Sequence, residues 1–325
     1  MQRAVIDGSA TIRGPMRLFF HAPCMDGVAS ACLMSEVLEA AGHEVHPVPI
    51  GYAARNAWLK DPGDGSFAVC DFLYHPRAVA WADHHPTAFE RPADEAHWRG
   101  RVDTGWFWYD PSARSCAALL QRVAAERGVD VSHLEDLAAL ATKTDSADYS
   151  SPEEAVYGQS PGLRLARALV HEPTDSWLEE LVRVLRSADI SSVAKRPEVV
   201  RRVHAADERM GIALKRLGSR LLVESGVARF TWDLSWGPLN RYAPYLLAPN
   251  ARYSIGVLLD ERADTSKVTA MRNPWLSFQS IPLGQLMGEY GGGGHERVGS
   301  VVLTGDARAR VSDVTARVME SVTAS

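Results

Sequence analysis

Asp83, His84 and His85 follow directly on the short apolar run Val79, Ala80 and Trp81. Such a run reads as a buried strand, so a carboxylate and two imidazoles stand where that strand ends. In open α/β sheets ligands collect beyond the carboxyl ends of strands, where side chains from several strands converge. Oxygen and imidazole donors in that position suit a hard or borderline divalent cation such as Mn or Mg. An isolated His-His pair is more often a solvated turn, so the weight falls on what else arrives beside it. Three further element ends deliver His21 with Asp26, then Asp71, then Asp145. Carboxylates gathered this closely raise one another's pKa unless a cation neutralises them. Two divalent ions bridged by one carboxylate can turn a bound water into hydroxide and clamp the attacking and leaving oxygens of a phosphoryl group.

The elements that must position these groups alternate between strand and helix. RLFF at Arg17 to Phe20 predicts a first strand running into HAPCMDG, a loop that carries His21, Cys24 and Asp26. Val28 to Ala41 predicts a buried helix stopped by Gly42. Strands follow at Glu44 to Ile50 and Phe67 to Cys70, with Asp71 immediately after the latter and Cys70 read as core. WFWY at Trp106 to Tyr109 predicts another strand whose aromatics serve the core rather than a base-stacking platform. Helices are expected at Ala113 to Arg127 and from an N-cap at Ser132 to about Lys143, with Asp145 and Asp148 just past the second. Alternation of this kind predicts an α/β fold with a doubly wound, mostly parallel sheet.

A chain of 325 residues exceeds the usual reach of one hydrophobic core, so more than one domain is expected. The net charge of −5 gives no basic footprint for long duplex nucleic acid. Cys24, Cys32, Cys70 and Cys116 have neither CxxC spacing nor the rhythm of a disulfide framework, and all four read as thiols. With no apolar run of membrane-spanning length and no signal-like N-terminus, a cytoplasmic location without membrane partners is expected.

Pro152 to Gly218 reads as helices, including a capping box at Ser176 and Glu179 and a basic connecting helix near Arg201 to Arg220. From about Leu221 the texture changes to short strands, predicting a smaller C-terminal α/β domain. The expected boundaries are 1–190 for the N-terminal domain, 191–220 for a helical linker and 221–325 for the C-terminal domain. Four consecutive glycines, Gly291 to Gly294, remove the side chains that keep a backbone from approaching a ligand, and their amides can form an anion-binding nest.

Taken in order, HAPCMDGVAS, Asp71, the Asp83-His84-His85 triplet, TDSADY and GGGH resemble the motifs of the DHH phosphoesterases with their associated C-terminal domain. The resemblance covers most of the chain and points to the branch acting on short oligoribonucleotides and adenosine 3',5'-bisphosphate (pAp). It implies two divalent metal ions, Mn in the first instance, with Asp71 bridging, His21 on one ion, and Asp26, His84 and Asp145 on the other. It further implies that His85 contacts phosphate, that Asp83 holds an imidazole in place, and that Arg272 grips a phosphate or carboxylate. Gly292, Gly293, Gly294 and His295 would hold the substrate across an interdomain cleft. Cys24 departs from the family pattern, standing where the first of two carboxylates is expected, and His21 lies one residue nearer. A thiolate suits Zn or Fe better than Mn. The expected partner is a small nucleotide or short single-stranded oligonucleotide, and a homodimer is compatible with the reading. A nucleotide sensor with little turnover, and a pyrophosphate or polyphosphate hydrolase, are the competing functions.

Overall fold

Strand formation in the first half follows apolar runs too short for a helix and closed by turn residues. The computed structural model describes residues 15–324. Contacts divide the chain into two compact units, one holding the residues up to Asp148 together with Gln159–His204, the other Tyr149–Gly158 with Ala205–Ser325. The division thus falls inside a helix of the expected linker and assigns a short segment after Asp148 to the second unit.

The first unit carries a parallel sheet of β1 (Met16–His21), β2 (Val45–Ile50), β3 (Phe67–Cys70), β4 (Ala80–Asp83) and β5 (Phe107–Tyr109) in the order β2-β1-β3-β4-β5. The chain leaves β1 in one direction and β3 in the other, so the topological switch lies between these neighbours. β3 and β4 are buried throughout, as inner strands covered on both faces must be. β2 tolerates Pro47 and Pro49 because it lies at an edge, where a missing amide costs no ladder bond on the outer side.

Helices α1 (Met25–Ala40), α2 (Arg55–Lys60), α3 (Pro92–Arg99), α4 (Cys116–Glu126) and α5 (Glu135–Asp145) connect and flank these strands. α6 (Pro152–Tyr157) belongs with the second unit, while α7 (Pro161–Val170), α8 (Asp175–Leu185) and α9 (Ile190–Val193) extend the first, and α10 (Pro197–Gly218) crosses the division. Almost every residue of α1 before its last turn is buried, which is why its sequence shows no polar face. Trp177, Leu178, Leu181, Val182 and Leu185 bury one face of α8 as their spacing predicts, but its cap is Thr174, not Ser176. Likewise Ser132 opens a 3-10 turn, and α5 starts only at Glu135.

The second unit is built on β6 (Leu222–Glu224), β7 (Val227–Asp233), β8 (Tyr253–Asp260), β9 (Thr265–Arg272), β10 (Gly293–His295) and β11 (Val298–Thr304), ordered β10-β11-β9-β8-β7-β6. Only β7 and β8 pair in parallel among these described strands. α11 (Ala243–Leu247), α12 (Leu283–Gly288) and α13 (Val311–Thr323) complete the unit. Val314, Val318 and Val322 of α13 and Leu283 and Met287 of α12 pack on Tyr253, Ile255, Val268 and Val301 of the sheet. Among the described residues no helix is long and apolar enough to cross a membrane.

Candidate metal centre

β1, β3 and β4 all end at the switch point, and their last residues or immediate successors are His21, Asp71 and Asp83. His21 is therefore the final strand residue, not a loop residue, and Asp26 lies in the first turn of α1. The close turn between them depends on Gly27, where a Cβ would lie 1.9 Å from the His21 carbonyl oxygen. Asp145 is the last residue of α5 rather than a residue beyond it. A carboxylate there opposes the helix dipole, so helix stability does not account for it.

Asp26 is fully buried and accepts backbone N–H groups from Cys116 at 2.7 Å and Ala117 at 2.9 Å, the first residues of α4. These anchors, and the Ser115 cap that starts α4, are absent from the sequence reading, whose one available signal was Ser115 ahead of an apolar helix. Burial, then the charge of Asp145, nevertheless raises the Asp26 pKa. Asp83 Oδ1 accepts the amides of His84 at 2.7 Å and His85 at 3.1 Å and lies 2.8 Å from His85 Nδ1. His84 Nδ1 lies 3.1 Å from the Ala113 carbonyl oxygen, which makes Nδ1 the donor and leaves the Nε2 lone pair available. That Nε2 is 3.5 Å from Asp26 Oδ2, 3.5 Å from Asp145 Oδ2 and 3.8 Å from Asp71 Oδ1.

Asp71 is the centre of the arrangement. Its backbone is left-handed, with φ of 55°, and its amide is held by the Ala82 carbonyl at 2.9 Å. The side chain is fully buried, yet neither carboxylate oxygen has a hydrogen bond among the described residues. His21 Nδ1 lies 3.5 Å from one oxygen and His85 Nδ1 3.6 Å from the other. Burial first, and the charge of Asp26 second, pushes the Asp71 carboxyl well above the ordinary aspartate value.

Burial and the neighbouring His85 lower His21 to about 4, while burial and Asp26 push the Cys24 thiol up to about 12. At His85 burial works against the charge, but the hydrogen bond and charge of Asp83 outweigh it and its pKa is raised. Among the described residues, His21 Nδ1 and His84 Nε2 join the Asp71 oxygens as buried atoms without hydrogen bonds. Nitrogen lone pairs and carboxylate oxygens orphaned together fit a divalent cation, which would satisfy all of them at once. Three groups have ligand atoms close enough to share an ion: His21, Cys24 and Asp71; Asp71, His84 and His85; and Asp26, His84 and Asp145. Asp148 is not among them, and instead pairs with Arg114 at 3.0 Å, mostly exposed. Tyr52, also unforeseen, sits against His21 with ring centroids 5.0 Å apart. Trp106 is core, packed under Arg127, but it precedes β5, which starts only at Phe107.

The remaining site expectations lie in the second unit. Arg272 ends β9, and its guanidinium donates to the carbonyls of Asn273, Leu276 and Phe278 at 2.8 to 3.1 Å. The glycine segment is an edge strand rather than an open loop, with Gly293 and Gly294 paired to β11. A Cβ on Gly292 would lie 2.2 Å from the Ser300 carbonyl oxygen, and one on Gly294 2.3 Å from that of Val298. Close strand packing thus requires two of the four glycines. The expectation for the His295 side chain falls outside what the structure describes.

No protein-family model matches the chain. No curated protein matches it either. Among solved structures, the pGpG-specific phosphodiesterase PggH from Vibrio cholerae aligns over 94% of this chain and 99% of its own, with 17% identity and a TM-score of 0.65. RecJ from Thermus thermophilus in complex with Mn2+ aligns over 94% of this chain and 51% of its own, at 15% identity and a TM-score of 0.57. An exopolyphosphatase-related protein from Bacteroides fragilis aligns over 93% and 91%, at 13% identity and a TM-score of 0.53. At these identities the likeness is one of fold.

Proposed function

From a fold shared with the DHH phosphoesterases, we propose that this chain is a divalent-metal-dependent phosphoesterase that hydrolyses a small nucleotide or a short single-stranded oligonucleotide. The observation that carries the reading is Asp71, a fully buried carboxylate with both oxygens unsatisfied, held between two sets of ligand-type atoms. Such a group costs the fold stability by itself, and its surroundings are chemically arranged to accept a cation.

His21, Cys24 and Asp71 would hold one ion, and Asp26, His84 and Asp145 the other. When bound, divalent ions lower the pKa of a water and neutralise phosphoryl oxygens. The chain's own residues orient and charge the rest. The α4 amides fix the Asp26 carboxylate, and the Ala113 carbonyl fixes the tautomer of His84. Asp83 steadies His85 and favours its protonated form, which supplies a cationic donor for a phosphoryl oxygen. In the second unit, a phosphate reaching Arg272 would take over N–H groups that now serve three carbonyls, with Gly292 to His295 lining its approach. A length match to a phosphodiesterase named for pGpG favours a linear dinucleotide or a molecule such as pAp over a long strand.

The test is to strip the protein with chelator, resupply Mn2+, Mg2+ or Zn2+, and follow pGpG, pAp, short oligoribonucleotides and pyrophosphate. Metal-dependent release of mononucleotide or phosphate is expected, lost in Asp71→Asn and His84→Ala. Normal turnover in both variants would sink the reading. Tight nucleotide binding without product, or a strong preference for pyrophosphate, would replace it with one of the competing functions.

A further inference from the structure

The two candidate ligand sets that share no residue differ in kind. His21, Cys24 and Asp71 offer nitrogen, sulfur and oxygen, whereas Asp26, His84 and Asp145 offer nitrogen and two carboxylates. With Cys24 as thiolate the two sets carry equal formal charge, so charge alone cannot sort ions between them. Ligand softness can, because thiolate favours Zn or Fe and is a poor partner for Mn or Mg, which prefer carboxylate oxygen.

Cys24 also stands apart from the other cysteines. Cys32 and Cys116 are buried with Sγ directed to the carbonyls of Val182 and Ala82, and Cys70 is buried in β3. Cys24 is partly exposed at the N-cap of α1, a position where the oxygen of Ser, Thr, Asp or Asn would serve the helix better than sulfur. Helix stability therefore does not explain the residue. An independent observation aims at the same spot: Asp71, fully buried and without a hydrogen bond on either oxygen, belongs to the same triad.

Resting on the metal-dependent reading above, we propose that the centre is chemically unequal. It holds a thiophilic ion such as Zn2+ or Fe2+ on His21, Cys24 and Asp71, and a hard ion such as Mn2+ or Mg2+ on Asp26, His84 and Asp145.

Titration of the metal-free protein with Co2+, read by absorption, tests this without reference to turnover. A thiolate-to-cobalt charge-transfer band in the near ultraviolet is expected, saturating at one ion per chain and absent in Cys24→Ser. Both Cys24→Ser and Cys24→Asp retain a competent N-cap side chain, so folding is preserved. In competition between equal Zn2+ and Mn2+, elemental analysis should find one of each in the native protein. Cys24→Asp should bind Zn2+ less tightly by roughly 100-fold or more, since even the outer partners of a metal ligand are worth roughly 10–100-fold. Two Mn2+ bound to the native protein under that competition, with no thiolate band in the cobalt form, would overturn the inequality while leaving the phosphoesterase reading intact. Absence of any tight divalent binding by calorimetry would overturn both.

Discussion

Asp71 follows the last residue of β3, and Arg272 is the last residue of β9, so the two occupy comparable places in their sheets. Their surroundings are opposite. Asp71 is buried with both oxygens unsatisfied and its backbone in a conformation uncommon for residues other than glycine. Arg272 spends its N–H groups on three carbonyls of its own turn, and the glycines nearby pack against β11. The difference teaches where a bound ligand would change most. At the end of β3 the fold keeps a cost that a cation would relieve, whereas at the end of β9 the backbone is already satisfied and a ligand must compete for it.

The largest expected effect comes from Asp71→Asn, a residue that tolerates the left-handed backbone. Metal-dependent turnover should fall by at least ~100-fold, because a ligand is worth no less than its outer partners. The metal-free protein should be at least as stable in denaturant unfolding, because a neutral amide costs less to bury unpaired than a carboxylate. A loss of stability instead would mean that Asp71 is satisfied, and the contrast with Arg272 would break.

Glycine substitutions probe the other side. Gly292→Ala should cost about 1–3 kcal/mol through overpacking against Ser300 and Val301. At Gly293 an added Cβ would meet nothing within 4 Å, so Gly293→Ala should stay within about 0.5 kcal/mol. If Gly293→Ala nonetheless raises KM at unchanged stability, that glycine serves a ligand and the comparison sharpens.

Smaller effects follow pH. Raised pKa values at Asp26 and Asp71 mean that the folded state takes up protons more readily than the unfolded one. Their stabilisation is complete below the ordinary aspartate value of 3.8 and is lost as pH rises through the folded values. His21 acts oppositely: lowered from 6.5 to about 4, it costs stability as pH falls through that window. Above 6.5 His21 is neutral in both states and adds nothing, so a melting temperature that rises on acidification there reports the carboxyls together with His85, whose pKa is also raised. That rise should shrink in Asp71→Asn and on adding Mn2+, and an unchanged slope would remove Asp71 as its source. The smallest expected change is in the pH-rate profile of Asp83→Asn. Loss of the partner that raises His85 should move the alkaline limb to lower pH, with the acid limb unmoved.

Much of this centre was legible in the chain. Phe67 to Cys70 forms β3 as read, because a short apolar run bounded by turns has few other ways to be buried, and Asp71 follows it. The alternation of strand and helix likewise specified a parallel sheet. Helix ends were read less well: α5 keeps Asp145 inside its last turn, and α8 is capped by Thr174 rather than Ser176. Several Ser, Thr and Asp residues compete at such ends, and packing chooses among them.

Residue types and their order along the chain thus determined which groups reach the ends of β1, β3 and β4, since side-chain chemistry and strand length are local properties. Only the tertiary structure decided that α4 brings its first amides to Asp26 from ninety residues away, that the Ala113 carbonyl meets His84, and that the Asp71 carboxylate finds no hydrogen bond among the described residues. Those facts depend on strand order and helix placement, where contacts distant in sequence set the balance of burial and charge that no local pattern encodes.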